Sequence, residues 1–396
     1  MSSQVRNFQP IDFKTRFPAL DGIRALAVTM VFFDHYGGGS HGGFLLQLLN
    51  RIRWNGWVGV DLFFVLSGFL ITGILFDTRN DSHFFKRFFA RRSLRIFPVF
   101  YLMCAILLLL TPVLHYQWHW LQLTFLVYFG NFFANYDFKL YEVPSSTYPA
   151  AKALIGHLWS LCVEEQFYLL WPLVVWTVRD RVRLLWIASG ICLLALLLRI
   201  AMCFAFPAEA ETWIIRTLPF RMDSLLFGAI LALLLRGPNA DLWQRSCKWI
   251  FLGGMALVVP LFLRFPQITS PWILTIGLTL LAVTGVGLIG ITLRSGSPAF
   301  RVFYLKPLRI LGKYSYGFYI YSLIFQLAFV KLLVLLAQKT HSLAIAGIIE
   351  LSCAFGASFL VAKLSYDLFE VRFLRWKVHF EYDSELVEDE QALTKN

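Results

Sequence analysis

Eleven apolar segments divide this chain of 396 residues, and most are close to the roughly 20 residues a helix needs to cross a bilayer. They are Pro18–Gly37, Trp57–Phe76, Ile96–Leu114, His119–Ala134, Leu158–Val178, Leu184–Phe206, Pro219–Leu235, Trp249–Phe265, Trp272–Leu293, Ile310–Leu335 and Ser342–Glu370. A soluble fold cannot absorb so much apolar surface, because a globular domain covers its outside with polar side chains. Composition agrees. Hydrophobic residues make up 58% and charged ones 15%, against about half and about a quarter in an ordinary domain. The expected fold is therefore all-α, a polytopic transmembrane helix bundle. The net charge of +12 is read as Lys and Arg that set topology. No nucleic-acid partner is expected.

Charge also decides how the fourth segment is read. If it does not cross, the chain has about ten spans, with 23 Lys and Arg in inside segments and 6 outside. If it crosses, the split becomes 13 against 16. The positive-inside rule favours the first arrangement: both termini cytoplasmic, and a re-entrant element after the third span. Residues 119 to 157 then form a candidate wall of a polar chamber, where irregular backbone is tolerated. Residues 1–17 are polar and are expected to be a cytoplasmic segment, not a cleaved leader. Residues 18–370 form the transmembrane domain, and 371–396 a cytoplasmic tail that ends acidic. No second soluble domain is expected after residue 380. The six cysteines include no CxxC pair, so neither a metal site nor a disulfide framework is expected.

Ionisable groups inside spans are costly and are functional candidates by default. Arg24 and His35 are eleven residues apart, which is three helical turns plus about 20°, so they share one face about 16 Å apart. Arg24 sits toward the cytoplasm and His35 toward the outer half. The bland alternative is a snorkelling arginine and an interfacial histidine. Arg92 and Arg95, in RRSLRIFP just before the third span, have i, i+3 spacing. Besides setting topology, two guanidiniums on one face can grip a phosphate or pyrophosphate. In HLWSLCVEEQFYLLWP, His157, Ser160 and Glu164 form one helical stripe, with Glu165 beside it. Asp61, Arg221 and Asp223 begin other spans at the same outer level. With Glu165 they are candidate substrate-binding residues. Such a level suits a transporter or flippase of an envelope precursor. It equally suits an enzyme with a buried base and a carboxylate to orient it. The sequence carries no inverted repeat of the kind many transporters show.

In order along the chain, LDGIRALAVTMVFFDHY, GVDLFFVLSGFLIT, RRSLRIFP, HLWSLCVEEQFYLLWP, RMDSLLFGAILALLL and LGKYSYGFYIYS resemble the motifs of the integral-membrane acyltransferase family 3. The resemblance runs from about Leu20 to about Phe369. It implies ten membrane helices, a cytoplasmic acyl-CoA donor (commonly acetyl-CoA), no permanently bound cofactor, and O-acylation of sugars or other hydroxylated acceptors at the cell envelope. Its functional residues map onto Arg24, His35, Arg92, Arg95, Ser160 and Glu164. In that reading the arginines hold the donor, His35 is the catalytic base, Glu164 steadies it, and Ser160 helps the oxyanion or positions the acceptor. The implied partners are acyl-CoA, an envelope glycan or lipid-linked sugar, and membrane lipid. The implied location is the bacterial cytoplasmic membrane. One departure stands out: many members have Trp-His after the SYxxY motif, where this chain has Tyr321 and Ser322.

Overall fold

A computed structural model describes residues 17–36, 55–114, 120–133, 156–324 and 326–382. These are helical, with no strand among them. The principal helices are α1 Pro18–His35, α2 Val58–Asp77, α3 Phe84–Leu114, α4 Trp159–Val178, α5 Arg181–Ala205, α6 Leu218–Leu234, α7 Ala240–Arg264, α8 Leu278–Leu293, α9 Lys306–Ser322, α10 Gln326–Thr340 and α11 Leu343–Ser365. Among the described residues, six stretches are long and apolar enough to cross a membrane: α2, Phe84–Pro112, α5, α7, Ile273–Leu293 and Leu343–Phe380. A seventh is reached if the short helix Ala210–Arg216 and α6, bent by 40° at their junction, form one span. The helices that carry the polar motifs, α1, α4 and α9, have 18, 20 and 17 residues. α1 carries Asp21, Arg24 and Asp34, α4 carries Glu164 and Glu165, and α9 is the shortest of the three.

Starts and stops follow local chemistry. Pro18, Pro219 and Pro307 sit in the first turns of α1, α6 and α9, where a missing N–H costs nothing. The Asp180 carboxylate caps α5 by accepting from the Arg183 amide at 2.8 Å. α3 has 31 residues, about 46 Å at 1.5 Å per residue. It therefore outreaches the bilayer core and carries its arginines on its first turns.

The bundle is closed by contacts too tight for side chains. α2 crosses α6 where a Cβ on Gly68 would meet the Leu225 carbonyl oxygen at 1.7 Å, and one on Gly228 the Val65 oxygen at 1.9 Å. Small residues let backbones approach in this way. α1 lies along α9 by the same means, with Gly312 against the Asp21 carbonyl. At the far end the Tyr36 hydroxyl donates to the Ser322 carbonyl, and the Gln326 amide donates to the His35 carbonyl at 2.8 Å. α1 and α9 are thus parallel and pinned at both ends.

Two sequence expectations come out differently in detail. Ile310–Leu335, read as one span, is divided between α9 and α10. Helical structure continues beyond Glu370 to Phe380, where the Phe380 carbonyl accepts from Arg91 on α3 at 3.3 Å. In the 119–157 segment, Trp120–Val127 is a 3₁₀ helix of 8 residues and Gly130–Phe133 a single turn. The 3₁₀ helix reaches about 16 Å, short of the roughly 30 Å hydrocarbon core. Gln166 on α4 anchors this stretch by donating to the Tyr128 carbonyl at 2.8 Å and the Asn131 side chain at 2.9 Å. His119 and residues 134–155 lie outside the described residues, as do 1–16 and 383–396.

Gly228→Val forces α2 and α6 apart. Its expected cost is at or above the roughly 1–3 kcal/mol usual for over-packing, read as earlier thermal unfolding in detergent. Gly253→Ala on α7, with open space around it, should leave unfolding unchanged or slightly later.

Candidate active site

Helices α1, α2, α3, α4 and α9 enclose a cavity of about 120 Å³. Arg24, Arg92, Arg95, Ser160 and Glu164 all line it, so five residues singled out in the sequence meet in one chamber. Its other walls are apolar (Phe63, Phe64, Ile96, Leu161), with hydroxyls from Ser67, Tyr168, Tyr316 and Tyr319.

Two hydroxyl clusters organise it. In the first, the Tyr168 hydroxyl donates to Glu164 Oε2 at 3.2 Å and pairs with the Ser67 hydroxyl. The Arg92 guanidinium lies over the Tyr168 ring, 4.4 Å from its centroid, and its charge acts on both Glu164 and Glu165. In the second, Ser160 Oγ is 2.6 Å from the Tyr319 hydroxyl, which donates to the His157 carbonyl at 2.7 Å. Ser160 Oγ can also donate to that carbonyl, at 3.3 Å, so the serine and the tyrosine share it.

His35 closes the outer end without itself lining the cavity. Its ring meets the His157 ring edge-to-face at 6.4 Å, and His157 in turn packs on Tyr319 at 5.2 Å. The structure therefore brings His35 to Ser160 through His157 and Tyr319. Glu164 lies further along α4, and its hydrogen bond goes to Tyr168.

The remaining candidates are placed elsewhere. Asp61 on α2 is ion-paired with Arg221 on α6 at 2.7 Å and accepts from Ser224 at 3.0 Å. Asp223 takes a two-pronged bond from Arg199 on α5 at 2.8 and 2.7 Å, with Thr279 beside it. All four charged groups are buried, and none lines the chamber. Glu165 is also off the chamber wall. Sequence reading assigned no role to Tyr168, Tyr319, Ser67 or Arg199. Tyr168 is four residues past Glu164, on the same helical stripe, which was the available signal. Among the described residues no cluster of metal-ligating side chains occurs.

A second cavity, of about 410 Å³, abuts the first. The two share Arg24, Leu70, Arg92 and Arg95. The second adds Arg236, Lys313 and Lys377, with Asp21 and Asp77 as its acids. Arg24 pairs with Asp21 at 2.8 Å, and Arg236 with Asp77 at 2.7 and 2.6 Å. The arrangement is a cationic mouth narrowing through an arginine neck into a small, mostly apolar chamber with hydroxyls. It is suited to a ligand with a polyanionic end and a thin neutral end.

The model of an acyltransferase domain family matches residues 17–366, and the chain belongs to that family. It is 28% identical over 321 residues to the peptidoglycan O-acetyltransferase OatA of Listeria monocytogenes, covering 77% of this chain and 48% of that protein. It is 30% identical over 325 residues to the O-acetyltransferase OatA of Staphylococcus aureus, covering 77% and 49%. It is also 30% identical over 324 residues to the putative peptidoglycan O-acetyltransferase YrhL of Bacillus subtilis, covering 77% and 48%. The chain thus spans about half the length of these relatives. No solved structure matches it.

Asp223→Ala strands the buried Arg199 charge, which typically costs about 3–5 kcal/mol. Early thermal unfolding is the expected result. A variant with unchanged unfolding and lost turnover would move Asp223 into the chemistry.

Proposed function

We propose that this protein is a membrane-embedded O-acyltransferase. It moves an acetyl or other acyl group from cytoplasmic acyl-CoA to a hydroxyl of a cell-envelope carbohydrate or glycoside, peptidoglycan or a lipid-linked sugar among them. The observation that carries this reading is the arginine neck shared by a cationic cavity and a chamber with hydroxyls. Family membership supports acyl transfer, and the relatives' names support an envelope glycan as acceptor. The donor is argued from charge. CoA phosphates cannot enter lipid and need cations at the inner face, while the pantetheine arm is narrow enough to pass a neck.

In this mechanism Arg92 and Arg95 hold the donor phosphates, and Arg24, fixed by Asp21, guides the thioester inward. The acceptor arrives from outside at the level of His35. Its hydroxyl oxygen attacks the thioester carbonyl while His35 takes the hydroxyl proton. Ser160, held by Tyr319, positions the acceptor oxygen or the carbonyl. The C–S bond then breaks, the ester departs on the acceptor, and the proton passes to the thiolate to give CoA-SH. Glu164 acts through Tyr168 and Arg92, keeping the neck in place. The accompanying topology is ten spans, both termini cytoplasmic, residues 119 to 157 entered from outside, and a bacterial cytoplasmic membrane.

The reading is tested by release of free CoA thiol from acetyl-CoA by the purified protein with an envelope acceptor. His35→Ala is expected to keep acyl-CoA binding and lose transfer by about 10²–10⁴-fold. Arg92→Ala or Arg95→Ala should instead weaken acyl-CoA binding by about 1.5–3 kcal/mol. A fully active His35→Ala protein would end the mechanism. For topology, single cysteines placed at residues 179 to 183 should resist membrane-impermeant reagents added to intact cells. Labelling there would overturn the ten-span arrangement.

A further inference from the structure

The second cavity holds more positive charge than its own carboxylates neutralise. Six cations face two acids. Arg24 and Arg236 are each held by one of those acids. Lys313 and Lys377 form no ion pair with a described residue. Lys313 comes from α9, its Nζ 4.6 Å from the centre of the Tyr366 ring. Lys377 comes from the turn after α11, in the field of Arg91, Arg92 and Arg95. Two half-buried lysines beside three arginines repel one another unless an anion sits among them.

Their position along the route gives that anion an identity. Arg24, Arg92 and Arg95 line both cavities, whereas the two lysines line only the second. A thioester donor that enters acyl end first brings its diphosphate to the cations nearest the neck. The phosphate on its ribose lies further from the thioester, so it stops in the second cavity. We propose that Lys313 and Lys377 bind the ribose 3′-phosphate of acyl-CoA and so select this donor over thioesters that lack that phosphate. The assignment rests on the acyl-CoA donor proposed above. It adds a binding site, built from α9 and the segment after α11, to the arginines already placed at the neck.

The test measures binding of acetyl-CoA and of 3′-dephospho-acetyl-CoA to the full chain in phosphatidylcholine nanodiscs. The unaltered protein is expected to prefer acetyl-CoA by roughly 10- to 100-fold, the usual worth of charge-assisted phosphate contacts. In the double variant Lys313→Gln, Lys377→Gln the preference should vanish while affinity for the dephospho compound stays unchanged. Replacement of both lysines by arginine should restore it. A preference that survives the double glutamine variant overturns the proposal, as does an equal loss for both ligands. An anionic lipid headgroup offers the same phosphate chemistry. If phosphatidylglycerol nanodiscs abolish the preference, the lysines belong to lipid and the proposal fails. If the unaltered protein binds neither compound, the donor reading itself falls and takes this assignment with it.

Discussion

Charge held at membrane depth must be answered by protein groups, because lipid offers none. That constraint governs this bundle. At the neck, Arg24 is met by Asp21. Arg92 lies on the Tyr168 ring and acts on Glu164. Arg95 feels the favourable charge of Glu370. Arg92 and Arg95 thus each bring a second element into a fixed place, while Arg24 is held within α1. α4 supplies Glu164 and Tyr168, α2 supplies Ser67, and the turn after α11 supplies Glu370. The chamber exists because these groups must converge.

The same constraint, met differently, produces pins instead of a site. Asp61 with Arg221 joins α2 to α6, and Arg199 with Asp223 joins α5 to α6. Arg199 and Asp223 are answered from within, by Thr279 and the Phe220 carbonyl, while Asp61 accepts from Ser224 and also lines a further cavity. A charge satisfied by its own surroundings holds helices together. The neck cations line open space and keep capacity for a ligand. Burial of a charge inside a span is therefore a weaker pointer to chemistry than burial beside a cavity.

This distinction limits what the sequence could tell. Spacing placed Arg24 and His35 on one face of α1 and paired Arg92 with Arg95. Those are local helical facts, and the structure keeps them. The stripe of Ser160 and Glu164 was legible for the same reason. The partners of Asp61 and Asp223 were not, because Arg221 lies 160 residues from Asp61 and Arg199 sits in an otherwise apolar run. Tyr168 and Tyr319 read as span aromatics, since a tyrosine's role depends on what its hydroxyl meets. The break between α9 and α10 was hidden by the short polar interruption around Ser322. It arises because α9 ends level with Tyr36, where Gln326 turns back onto the His35 carbonyl.

Depth then sorts the proposed chemistry by polarity. Arg24 and His35 stand about 16 Å apart along α1, with the chamber between the level of the arginines and that of the histidine. Phosphates meet the arginines and go no further, because beyond them Phe63, Phe64, Ile96 and Leu161 offer no counter-charge. A neutral thioester would meet no such barrier, and the chamber would offer it the hydroxyls of Ser67, Tyr168, Tyr316, Ser160 and Tyr319. On the proposed reading, the neck admits the reactive end of the donor and retains the charged end. Water on the cytoplasmic side is kept from the thioester by the same apolar ring that stops the phosphates. An acceptor hydroxyl arriving at His35 from the other side is then the nucleophile best placed to reach it.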